Sequence, residues 1–108
     1  MAYLTSLAIS ISTGNTTDRI DLENHHYSIG RNGNIETHRF IQCISRLHCS
    51  LQRNTLLDKE WKIRDLNSHC GTKVNNVEIG KRDIILQHGD IITVGVEKFA
   101  VDFFYHQD

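Results

Sequence analysis

No long segment of this 108-residue chain carries the 3.6-residue apolar period of a helix, and proline is absent. Short apolar runs alternate with polar residues instead. That pattern restricts the chain to short strands, because successive side chains on a strand face opposite ways and a half-buried sheet requires alternation. Leu7, Ile9 and Ile11 are expected on one face of a first strand, with Ser6, Ser10 and Ser12 on the other. Residues 19–22 repeat the alternation, and residues 27–30 form a short third strand. Residues 48–53, 61–65, 90–94 and 98–105 complete the clearer set. Gly14-Asn15, Asn32-Gly33, Asn75-Asn76 and Gly89-Asp90 separate them with residues that tolerate positive φ. Asn75-Asn76 lies between Thr72-Lys73-Val74 and Val77-Glu78-Ile79 and reads as a two-residue hairpin turn. Many short strands at close spacing predict an all-β antiparallel sandwich. Hydrophobic residues make up 39% of the chain, enough for one core, and no linker or repeat interrupts it, so residues 1–108 read as one domain.

Several function classes fall away on composition. No apolar run approaches the roughly 20 residues that span a bilayer, and the first residues lack a basic segment followed by an apolar one, so neither a membrane span nor a secretory signal is expected. A formal net charge of −1 argues against direct, sequence-independent nucleic-acid binding. Cys43, Cys49 and Cys70 are odd in number and irregular in spacing. They fit reduced thiols in a cytoplasmic or nuclear setting better than a disulfide framework. Asn15-Thr16-Thr17 matches a glycosylation sequon but reads as a polar turn after Gly14.

The chemistry concentrates in the middle third. Arg31, Ser45, Arg46 and Thr72 all fall where strands give way to loops, and such loop ends can converge on one small ligand. Two guanidiniums and two hydroxyls with no carboxylate between them have the chemistry of a phosphate site. Arginine presents a planar fork to two phosphate oxygens, which lysine cannot do.

The spacing of four blocks carries a family resemblance. Gly30-Arg31 follows an early strand, and Ser45-Arg46-Leu47-His48 comes about fifteen positions later. Asp65-Leu66-Asn67-Ser68-His69-Cys70-Gly71-Thr72 follows, with Asn75 in the hairpin, and residues 86–95 look like a closing strand. Over residues 27–101 the chain resembles a forkhead-associated (FHA) domain. The resemblance implies a β-sandwich of about eleven short strands with recognition loops at one end. It also implies binding of phosphothreonine in a partner protein, with no catalysis, cofactor or metal. Arg31 and Ser45 would bind phosphate, and Arg46 phosphate or peptide backbone. The loop Asn67-Ser68-His69-Cys70 would face the peptide. Gly30, His48, Gly71, Thr72 and Asn75 would support the site: His48 by bonding inside the domain, Gly71 by a conformation closed to other residues, Thr72 by bracing the neighbouring loop. The implied setting is phosphorylation-dependent signalling, in DNA damage or the cell cycle, with the nucleus favoured. One position departs from the family pattern: an asparagine whose amide grips the peptide main chain is replaced by Cys70, and a thiol cannot stand in for a two-ended amide.

Three other readings compete. Ser45, His48 and Asp65 supply the residue types of a nucleophile, base and orienter. Nothing like a nucleophile elbow surrounds Ser45, and three positions along a strand turn Ser45 and His48 to opposite faces. His25-His26, Cys43, His48-Cys49 and His69-Cys70 supply ligand atoms without the paired spacing of a zinc site, and Cys49 reads as a small buried residue. The third is a divergent FHA domain with weak or lost phosphothreonine binding that acts as a homodimerisation module. Its feature is the aromatic stretch Phe99–Tyr105: Phe99, Val101 and Phe103 would fill the core, and joint exposure of Phe104 and Tyr105 would mark an interface.

Overall fold

The computed structural model describes residues 2–6, 18–37, 43–56, 58–96 and 101–107. Among them run eleven strands: β1 (Ala2–Ser6), β2 (Asp18–Asp21), β3 (His26–Gly30), β4 (Ile35–Glu36), β5 (Cys49–Gln52), β6 (Lys62–Asp65), β7 (Thr72–Val74), β8 (Val77–Glu78), β9 (Ile84–Ile85), β10 (Ile91–Val94) and β11 (Val101–Gln107). They form a six-stranded sheet in the order β2-β1-β11-β10-β7-β8 and a five-stranded sheet in the order β4-β3-β5-β6-β9. All pairings are antiparallel except the short parallel contact of β3 with β4. The fold is the FHA-type all-β sandwich that the sequence predicts. No helix among the described residues is long and apolar enough to cross a membrane.

Alternation places the core. Leu4, Ile92, Val94, Phe103 and Tyr105 point inward from the larger sheet, and Ile29, Leu51 and Ile63 from the smaller one. Burying each such large side chain contributes about 1.5–3 kcal/mol. Register makes the pattern strict: Leu4 lies opposite Tyr105, and Leu51 opposite both Tyr27 and Ile63. At the end where β3 begins, Arg53 closes the sandwich. Its guanidinium lies 4.8 Å from the Trp61 ring centroid and donates to the carbonyls of Glu23, Asn24 and Asp58. The opposite end, where β3 and β6 stop and β5 and β7 start, is left for the site.

Several sequence expectations are corrected. Leu7, Ile9, Ile11, Gly14-Asn15 and the Asn15 sequon lie outside the described residues, as do Phe99 and Ala100. Ser6, expected on a polar face, is buried on the core side of β1, where its hydroxyl donates to the Asp102 carbonyl. Asn32 and Gly33 do not use positive φ. Gly33 is required by space: a Cβ there would meet the Ser28 carbonyl oxygen at 2.4 Å. The Asn75-Asn76 turn does use it, at φ 51° and 69°, and joins β7 to β8 as a two-residue hairpin. Phe104 and Tyr105 are not exposed together. Tyr105 is fully buried in β11, which is an interior strand paired on both sides, and burial pushes its phenol up to about 12. The joint exposure that would have marked a dimer interface is therefore missing at this pair.

Candidate functional site

The loop carrying Arg31 is tied to the loop carrying Ser45 and Arg46 by backbone. The Arg31 amide donates to the Ser45 carbonyl at 3.2 Å, and the Asn32 amide to the Arg46 carbonyl at 2.9 Å. Such closeness explains Gly30. A Cβ there would sit 2.2 Å from the Arg46 carbonyl oxygen, so any side chain forces the two loops apart. Its role is close approach rather than an unusual φ. Asn34 secures the other flank, accepting from the Ser28 amide and hydroxyl while its own amide donates back to Ser28 Oγ.

The side chains then sort by what they are bonded to. Arg31 is half-buried, and its Nε donates to the Ile44 carbonyl, which aims the guanidinium while leaving its terminal nitrogens without a partner among the described residues. Arg46 is exposed and makes no ion pair among the described residues. Ser45 Oγ accepts the His69 amide at 2.9 Å, so its own hydrogen remains to be donated elsewhere. Two cations and a hydroxyl donor thus come from loops held against each other at one end of the sandwich.

Behind them stands His48, fully buried. Its Nδ1 accepts the Ser45 amide at 3.0 Å, so Nε2 carries the hydrogen and donates to the Gly71 carbonyl at 2.7 Å. One imidazole therefore joins the Ser45 loop to the Gly71 loop. Burial lowers its pKa below the ordinary histidine value and outweighs the opposing bond to Gly71 and the charge of Asp65. The ring is neutral near pH 7. Both nitrogens being committed to backbone, Ser45, His48 and Asp65 do not form a relay.

Asp65 is the group that sequence reasoning undervalued. Its Oδ1 accepts the hydroxyls of Ser68 and Thr72, the latter at 2.7 Å, and its Oδ2 accepts the Ser68 amide at 3.0 Å. Burial raises its pKa, but these bonds and the nearby His48 together hold it below the usual carboxylate range. Ser68 Oγ in turn accepts the Gly71 amide. Ser68, expected among the peptide-facing residues, is spent on the loop's own frame, and Thr72 is buried beneath it. Asn67 at φ 57° and Gly71 at φ 83° supply the left-handed backbone that the loop requires. Asn67 and His69 are exposed and Cys70 is half-buried, so these three keep surface open to solvent. Asn75 lies on the hairpin, where its amide donates to Asp90 at 2.8 Å and accepts the Ile91 amide at 3.0 Å. Cys49 is fully buried, its thiol pushed up to about 12. Among the described residues no three acidic, histidine or cysteine side chains gather as metal ligands.

Comparisons with known proteins agree with this architecture. The FHA domain of the CT664 protein from Chlamydia trachomatis superposes with a TM-score of 0.78 at 21% identity, covering 99% of this chain and 97% of that one. The FHA domain of FhaA, solved in complex with the intracellular domain of Rv3910, gives 0.72 at 22% identity, covering 98% and 100%. An FHA domain studied for phosphothreonine-dependent interactions gives 0.70 at 20% identity, covering 99% and 96%. No curated protein matches in sequence. The sequence model of the FHA domain matches residues 27–95, well over half the chain. The chain belongs to the FHA domain family.

Proposed function

We propose that this domain captures a phosphorylated threonine in a partner protein, with Arg31, Ser45 and Arg46 holding the phosphate. One observation carries the reading: the Arg31 and Ser45–Arg46 loops are joined by backbone hydrogen bonds, leaving at their rim a guanidinium edge, a second cation and a hydroxyl hydrogen with no partner among the described residues. A phosphothreonine brings about −1.5 to −2 charges, which two arginines balance. Three charge-assisted bonds at about 1.5–3 kcal/mol each exceed the roughly 8 kcal/mol of micromolar binding before ordering costs are subtracted. The phosphothreonine-dependent and protein-bound FHA domains of similar fold support the same reading. Its setting is phosphorylation-dependent signalling, with nuclear DNA-damage or cell-cycle signalling the specific form that family analogy favours. Titrating a degenerate phosphothreonine library and its unphosphorylated counterpart tests it. Phosphorylated peptides are expected to bind at least about a hundredfold tighter, the worth of about two charge-assisted bonds. Equal affinity for both libraries refutes the reading.

The peptide-backbone half of the site is weaker than the phosphate half. Cys70 stands half-buried on the loop facing the ligand, where an amide would offer both a donor and an acceptor. Restoring one or two neutral hydrogen bonds at about 0.5–1.5 kcal/mol each should tighten binding about tenfold in Cys70→Asn. Fluorescence polarisation with a phosphothreonine peptide reads this directly, and unchanged or weaker binding removes the account of this position.

A further inference from the structure

The loop of residues 67–71 continues past the anion site into a groove. Asn67, His69, Cys70 and Gly71 line it on one side, and Glu78 and Lys81 on the other. Glu78 is exposed on β8, and its side chain folds back over the loop. A Cβ on Gly71 would lie 2.3 Å from Glu78 Oε1 and 3.3 Å from its carboxyl carbon, so the carboxylate occupies the space that glycine leaves open. Glu78 stands opposite Lys73 in the β7–β8 ladder, and Lys81 follows in the next turn, yet the ion pairs given by the described residues, Arg19–Asp21 and Arg64–Asp83, include neither ammonium. Three other charges nearby are engaged: Arg64 is bonded to Asp83 through two nitrogens at 2.8 Å, Arg82 donates to the backbone carbonyls of Glu78 at 3.1 Å and Ile79 at 3.2 Å, and Asp65 holds the loop together. A carboxylate with no partner among the described residues therefore borders the path that leads away from a cationic cradle, with the Ser45–His69 bond linking the two.

We propose that Glu78 sets a charge preference in the partner: a basic side chain flanking the phosphothreonine is selected, and an acidic one is rejected. The inference rests on the phosphothreonine reading and adds to it a class of ligand. A chain anchored by its phosphate at Ser45 and lying over residues 69–71 brings a flanking side chain to Glu78. An arginine or lysine there gains an exposed ion pair, while a glutamate meets a like charge. Exposed pairs of this kind change affinity about two- to fivefold. Lys81 opposes the effect from a flexible, exposed stem, so the preference is moderate in the native domain.

The test uses phosphothreonine peptides of one length with lysine or glutamate scanned through the positions on either side of the phosphate. The native domain is expected to bind the lysine form two- to fivefold more tightly at one flank. Glu78→Gln should level the two, Glu78→Lys should invert them, and Lys81→Ala should widen the native preference. All differences should shrink at high salt. The same lysine-to-glutamate ratio in the native domain and Glu78→Lys overturns this inference alone, with the phosphate reading intact. Failure of every phosphorylated peptide to bind overturns both.

Discussion

Arg31→Ala is expected to abolish phosphopeptide binding while the domain stays folded. The native guanidinium is held through Nε by the Ile44 carbonyl and presents its two terminal nitrogens as a fork. Losing two charge-assisted bonds costs about 3–6 kcal/mol, a factor of more than about a hundred in affinity. From a micromolar starting point that places binding beyond calorimetric detection. The fold loses less, because only the charge-assisted bond to one loop carbonyl disappears, worth about 1.5–3 kcal/mol. Arg31→Lys should also fail to restore native affinity, since a point charge cannot reproduce the fork. Calorimetric titration beside a thermal melt separates the two effects. Native-like affinity in Arg31→Ala, or loss of binding only through unfolding, refutes the assigned role.

The candidate donors are legible in the sequence because their spacing is local: Gly30-Arg31 closes a strand, and Ser45-Arg46 precedes one. What was not legible is how the loops are fastened. Asn34 on Ser28, and Arg31 on the Ile44 carbonyl, are contacts between side chain and backbone that no spacing encodes. The aspartate at position 65 was visible, but its task was not: whether it serves a ligand or its own loop depends on the direction of two hydroxyls. The longer strands appeared through alternation, whereas β4, β8 and β9 have two residues each, too few to carry a period. Ser6 shows the same limit from the other side, since a serine on a core face looks polar until its acceptor at Asp102 is known. Gly33 is legible as a special position, but its cause is close approach and not the positive φ that the sequence suggests. A glycine demanded by a carbonyl from elsewhere in the fold looks the same in sequence as one demanded by its own φ.

His48→Ala is expected to lower stability by about 3–5 kcal/mol and to weaken phosphopeptide binding as a consequence. Two backbone groups, the Ser45 amide and the Gly71 carbonyl, would each lose a partner beneath the loops, at about 1–3 kcal/mol apiece. The space left by a fully buried ring adds a cavity cost. Against a typical total of about 5–15 kcal/mol this is a large fraction, and the melting temperature should fall by more than about 10 °C. Asp65, Ser68 and Thr72 would keep their own bonds, so the loop of residues 65–72 keeps its shape but loses one of its ties to Ser45, the His69 amide on Ser45 Oγ remaining. The same imidazole makes the native domain sensitive to acid. Because burial lowers the folded-state pKa, the unfolded chain binds the proton first as pH falls below the ordinary value of 6.5. Stability from His48 is therefore complete above that pH and declines below it, until the folded ring also protonates. Asp65 acts in a lower window: its depressed pKa gives stability that is present above the ordinary value of 3.8 and is lost as pH falls further. Denaturant melts between pH 8 and 5 should show the decline in the native domain and a flatter curve in His48→Ala. A variant that melts within about 3 °C of native, or a native curve flat across that range, would show that the imidazole does not join the two loops.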